Sequence, residues 1–129
     1  MSSVPFPITA IFAALLALML VGISVRVTVL RARKQISLGD GGDKELGAAI
    51  RVQGNFVEYV PVALALMGII EWTGALPGLV YAYGAVLLAA RIVHAWGLYS
   101  SVFKARVIGT SGTWILIAAG AIAVLARVA

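Results

Sequence analysis

Arg51, Asn55, Glu58 and Tyr59 stand at i, i+4, i+7 and i+8 in the stretch Arg51-Val52-Gln53-Gly54-Asn55-Phe56-Val57-Glu58-Tyr59-Val60-Pro61. On a helix that spacing puts all four on one face. A cation, an anion, a carboxamide and a phenol can grip a zwitterionic ligand. They can equally form an intrahelical polar clamp holding two helices together, since charges in an apolar segment usually face a bundle interior or a watery cavity. A second polar pair, Arg91 and His94, is three residues apart and also shares a face. A lone histidine near the end of an apolar helix can instead be a satisfied interfacial residue.

The composition says where such residues must work. The chain has 129 residues, of which 62% are hydrophobic and 12% charged. Soluble domains carry about 25% charged residues. A water-soluble domain of this length could not hide so much apolar surface, so a single integral membrane domain over residues 1–129 is expected. The net charge of +5 does not call for a nucleic-acid partner, because the basic residues flank apolar spans, where orientation and headgroup contact account for them. There is no cysteine and one histidine. Disulfides, thiolate metal sites, a cysteine nucleophile and a histidine-rich metal centre are therefore excluded. Any thiol chemistry must use a thiol brought by a ligand.

Four helices are expected, over about 5–34, 44–72, 78–99 and 106–127. The first has an uncharged apolar core from Ile8 to Ile23, with Pro5 and Pro7 near its start. It lacks the preceding cations of a signal peptide. The string Gly39-Asp40-Gly41-Gly42-Asp43 reads as a solvated loop, with Asp43 capping the second helix. It has neither the Lys-Ser/Thr of a phosphate loop nor the spaced oxygens of an EF-hand. Pro61 should kink the second helix, and Glu71 and Trp72 mark its far interface. Arg91, His94 and Trp96 lie near the end of the third helix. The fourth is uncharged from Val107 to Ala126, and its glycines permit close helix approach.

Nine of the ten Lys and Arg residues flank or occupy the connections after helices one and three. The positive-inside rule then makes those two loops cytoplasmic and puts both termini on the opposite side. The polar residues of helices two and three converge near the same cytoplasmic interface.

The pattern Arg51-x-Gln53-x-Asn55-x-x-Glu58-Tyr59-x-Pro61, then Glu71, then Arg91-x-x-His94-Ala95-x-Gly97, resembles the membrane-associated proteins in eicosanoid and glutathione metabolism (MAPEG). These include microsomal glutathione transferases, the cysteinyl-leukotriene synthase and microsomal prostaglandin E synthase. The Leu38–Asp43 loop looks like that of bacterial members, which implies a bacterial inner membrane. The resemblance runs from about Arg26 to the end of helix four. It implies an all-α, left-handed four-helix bundle assembled as a homotrimer, with glutathione held between subunits on the cytosolic side. Carried over, Arg51, Asn55, Glu58 and Tyr59 match positions holding the glutathione backbone, Gln53 matches another contact, and Arg91 and His94 match positions lining the site. Arg31, with Arg26 and Arg33 as alternatives, matches a basic residue at the end of helix one. Arg106 matches the catalytic arginine, with Lys104 as the neighbouring register. Leu98 departs from the pattern, because several eicosanoid-making members carry tyrosine there.

The resemblance thus implies a glutathione-dependent transferase or peroxidase that joins the co-substrate's thiolate to a hydrophobic electrophile from the bilayer, without a metal. Two other readings stand beside it. One is a non-catalytic membrane protein of the same fold that binds a lipid or protein partner. The other is a small transporter or channel subunit in which Glu58 and His94 relay protons.

Overall fold

The computed structural model describes residues 4–129. Four helices follow one another: α1 (Pro7–Lys34), α2 (Lys44–Trp72), α3 (Pro77–Tyr99) and α4 (Phe103–Val128). Each is long and apolar enough to cross a membrane. The shortest has 23 residues, about 35 Å at 1.5 Å per residue, against a hydrocarbon core of about 30 Å. The short connections make sequence neighbours antiparallel. α2 and α3 form the centre, α1 packing on both from one side and α4 on both from the other.

Each helix end has a chemical reason. Pro7 and Pro77 open α1 and α3, where a missing N–H costs nothing. Asp43 caps α2, its Oδ1 accepting from Leu46 N at 2.8 Å. The Lys34 ammonium, 2.8 Å from the other carboxylate oxygen, together with that cap holds the Asp43 carboxyl below the usual carboxylate range. α1 has no side-chain cap of its own. Glu71, at the end of α2, supplies one across the bundle: its two oxygens accept from Ile8 N at 2.9 Å and Thr9 N at 2.7 Å. A carboxylate on the exposed N–H groups of a helix start also complements the helix dipole. Glu71→Gln should therefore lower stability in detergent by about 1.5–3 kcal/mol, the range for hydrogen bonds to a charged group. Thermal unfolding followed by circular dichroism reads this; an unchanged transition would leave the cap without energetic weight.

Pro61 sits inside α2 without ending it. α4 begins at Phe103, three residues before the expected start, because Ser101 takes a left-handed φ of 56° and Val102 is extended. The connection from α3 shrinks to Ser100–Val102, and Arg106 falls within the first turn of α4. The Gly-Asp loop is pinned rather than merely solvated. Arg31 Nη1 donates to Gly39 O at 2.7 Å and Ile36 O at 3.3 Å, and Asp40 Oδ1 accepts from Gly42 N at 2.9 Å.

The core runs along the helix axes. Leu16 and Ile23 of α1 meet Val52, Phe56, Val60 and Ala63 of α2 and Leu87 and Ala95 of α3. Many large apolar side chains point outward instead, among them Leu18 and Val21 on α1 and Ile115, Ile122 and Leu125 on α4. Apolar surface on that scale fits lipid or neighbouring subunits, not water.

Candidate functional site

The spacing on α2 does what a helix requires of it. Arg51, Asn55, Glu58 and Tyr59 line one side of a cleft of about 400 Å³. His94 and Leu98 of α3 form its floor. Arg106, Val107, Thr110, Ser111 and Trp114 of α4 form the other wall. Tyr59 and Trp114 meet edge to face, ring centroids 6.1 Å apart, and bring the two walls together.

Two glycines let α4 approach closely enough to build that wall. A Cβ on Gly97 would stand 2.5 Å from Arg106 N, and one on Gly109 would stand 2.5 Å from His94 Cβ. The first contact sets the height of Arg106 against α3. The second sets His94 against α4, where its Nδ1 is 2.9 Å from Thr110 Oγ1 and 3.3 Å from Arg106 O. The imidazole thereby ties α3 to the turn that carries Arg106. Its Nε2 is buried and has no hydrogen-bond partner among the described residues.

Arg91 does not reach the cleft. It is 1% exposed and stands behind Asn55, donating from Nη1 to Asn55 Oδ1 at 2.7 Å. The carboxamide can point only one way once its oxygen is taken, so its NH2 is left for the cleft. Arg91 is a positioning residue in this arrangement.

Gln53 and Arg31 are also elsewhere. Gln53 lies about 200° around α2 from Arg51 at 100° per residue, and its Nε2 donates to Ser24 Oγ on α1 at 3.0 Å. Arg31 is at the pinned loop. Both therefore belong to the α1 side of the molecule and line no part of the cleft.

The charged groups at the cleft are not matched to one another. Among the described residues, Arg51, Glu58 and Arg106 form no ion pair, while Arg26, Lys34, Asp43 and Glu45 do. Among the described residues, the one cation–π contact of Arg106 is with the Phe103 ring, at 5.6 Å. An Arg51–Glu58 clamp is thus not formed. Two guanidinium groups and a carboxylate around a cleft are instead free to meet opposite charges on a ligand. Among the described residues no three His, Asp or Glu side chains group as a metal site would need.

Thr110, Ser111 and Trp114 were not singled out by the sequence. The signal is in the spacing: Arg106, Thr110 and Trp114 repeat at i, i+4 and i+8, so a helix through them carries all three on one face.

A sequence model of the MAPEG family matches residues 9–126. Two Escherichia coli proteins, from strain K12 and from strain O6:H1, both named inner membrane protein YecN, are each 43% identical over 107 residues. The match covers 83% of this chain and 82% of each relative. With four spanning helices and such relatives, the chain is a multi-pass protein of the bacterial inner membrane.

Proposed function

We propose that this chain, which belongs to the MAPEG family, is a membrane-bound glutathione-dependent transferase. The observation that carries the reading is the set of unpaired Arg51, Glu58 and Arg106 around one cleft. Glutathione offers two carboxylates, one ammonium and one thiol. Arg51 takes a carboxylate, with two parallel N–H groups suited to it. Glu58 takes the ammonium. The Asn55 NH2, aimed by Arg91, donates to the peptide backbone of the ligand. Arg106 stands near sulfur. A free thiol has a pKa of about 8.5, and an adjacent guanidinium favours the thiolate. The thiolate sulfur then bonds to the electrophilic carbon of an apolar substrate, and that carbon's leaving group departs with its bonding electrons. Val107 and Trp114, half in the cleft and half outside the bundle, form the apolar approach from the bilayer.

The positions of Arg31 and Gln53 support a shared site in a homotrimer. Within one chain they cannot reach the ligand. A neighbouring copy laying its α1 side against the open cleft would bring them there and cover exposed apolar surface.

The reading is tested by calorimetric titration of the detergent-purified protein with glutathione. Glu58→Gln and Arg51→Met should each weaken binding about ten- to a hundredfold, the equivalent of a lost charged hydrogen bond of about 1.5–3 kcal/mol, without changing the assembly seen by native mass spectrometry. Unaltered binding in both variants would reduce the pair to structural residues of a non-catalytic member.

A further inference from the structure

Three hollows follow one another along α2. The cleft shares Arg51, Leu98 and Arg106 with a second chamber of about 320 Å³. That chamber shares Lys44, Ala48, Leu98 and Ser101 with a third, of about 250 Å³. The third sets a carboxylate among its cations, Glu45 facing Arg26 at 3.6 Å. The middle one does not. Its charged lining is Lys44, Arg51 and Arg106, with no carboxylate, and none of the three is in an ion pair among the described residues. A concave space lined by one sign of charge focuses the field and draws in the opposite ion.

The adjacent helix start adds to the imbalance. α4 opens without a side-chain cap and without an acidic residue in its first turn. Lys104 and Arg106 occupy that turn instead, the sign the helix dipole disfavours. The rest of the wall is Ser101 with Ala48, Leu98 and an outward-facing Phe103.

We infer that the middle chamber binds a phosphate group beside the thiol cleft, sharing Arg51 and Arg106 with it and centred on Lys44, which that cleft does not include. A phosphate is compact and anionic, and its several acceptor oxygens can take an ammonium and a guanidinium fork together. Two sources carry it. One is the headgroup of an anionic phospholipid whose chains lie along the outward-facing Val107 and Ile108 of α4. The other is a free phosphate-bearing solute.

The test uses delipidated full-length protein in a zwitterionic detergent, titrated by calorimetry with phosphatidylglycerol in mixed micelles and, separately, with inorganic phosphate. Saturable binding is expected in at least one arm, weakened about tenfold by Lys44→Glu, a change of about 1.4 kcal/mol. Lys44→Arg should retain it. The charge reversal puts an acid in the first turn of α2, which favours the helix, so an unchanged or raised melting temperature separates lost binding from lost fold. Arg127→Glu, at the far end of α4, should bind as the parent does. Binding of phosphatidylglycerol alone assigns the site to a headgroup; binding of phosphate that competes with the lipid assigns it to a solute. No saturable binding in either arm, unaltered binding in Lys44→Glu, or an equal loss in Arg127→Glu overturns the inference.

Discussion

Arg106→Ala is expected to cut conjugation turnover about 100- to 1,000-fold, the usual cost of removing one group aimed at developing charge, while glutathione affinity stays close to that of the parent. The split follows from where Arg106 stands. It lines the cleft from the first turn of α4, opposite the α2 residues proposed to hold the ligand's charged ends. Its proposed task is to favour the sulfur anion, and the sulfur adds little to ground-state binding. A residue acting only in the reaction lowers kcat and kcat/KM together and leaves binding alone. Steady-state kinetics with a generic electrophile, beside calorimetry, reads both quantities. A fall in affinity with kcat preserved would make Arg106 a binding residue. Loss in Lys104→Ala with none in Arg106→Ala would move the role to the alternative register.

The second large effect is expected at Gly109. Alanine there should destabilise the bundle by about 1–3 kcal/mol, as overpacking does, even though alanine favours a helix by about 1 kcal/mol over glycine. The added Cβ would stand 2.5 Å from His94 Cβ and 2.7 Å from Ala90 O. Neither can swing aside, because one is the root of a side chain and the other is backbone. α4 must move off α3, which opens the His94–Thr110 contact and shifts Arg106. A displacement of about 1 Å at a reacting group can cost about a hundredfold in rate, so activity should fall with stability. Gly112→Ala is the internal control. Its nearest neighbour, Ala90 Cβ, is 3.8 Å away, and the substitution should be neutral or mildly stabilising. Thermal unfolding of the two variants separates the cases: equal melting temperatures would mean that the close approach at Gly109 carries no weight.

How far the amino-acid sequence foretells this molecule depends on the range of each interaction. The helices are legible because hydropathy is a property of each segment alone. The α2 face is legible because Arg51, Asn55, Glu58 and Tyr59 need only the helical period to align. What was not legible depends on contacts between segments. Glu71 reads as an interface marker until α1 is placed against it, 63 residues away along the chain, and its two oxygens meet Ile8 and Thr9. Arg91 reads as a cleft residue, and only the packing of α3 on α2 puts it behind Asn55. α4 starts three residues earlier than its sequence suggests, because nothing in Val102-Phe103-Lys104 signals a cap and the turn is made by backbone geometry at Ser101. Thr110 and Ser111 lie in the expected helix as well, and only its packing against α2 and α3 turns them into the cleft. Gln53 is the opposite case: its position two residues from Arg51 already put it on another side of α2.

A cleft that holds glutathione as thiolate is read from the ultraviolet absorbance of the bound thiol, titrated across pH with the purified protein in excess over glutathione. A thiolate band should already be present at pH 7, with a titration midpoint below the free value of about 8.5, returning toward that value in Arg106→Ala. A bound thiol that titrates as it does in free solution, with the parent and the Arg106 variant indistinguishable, would contradict a bound thiolate.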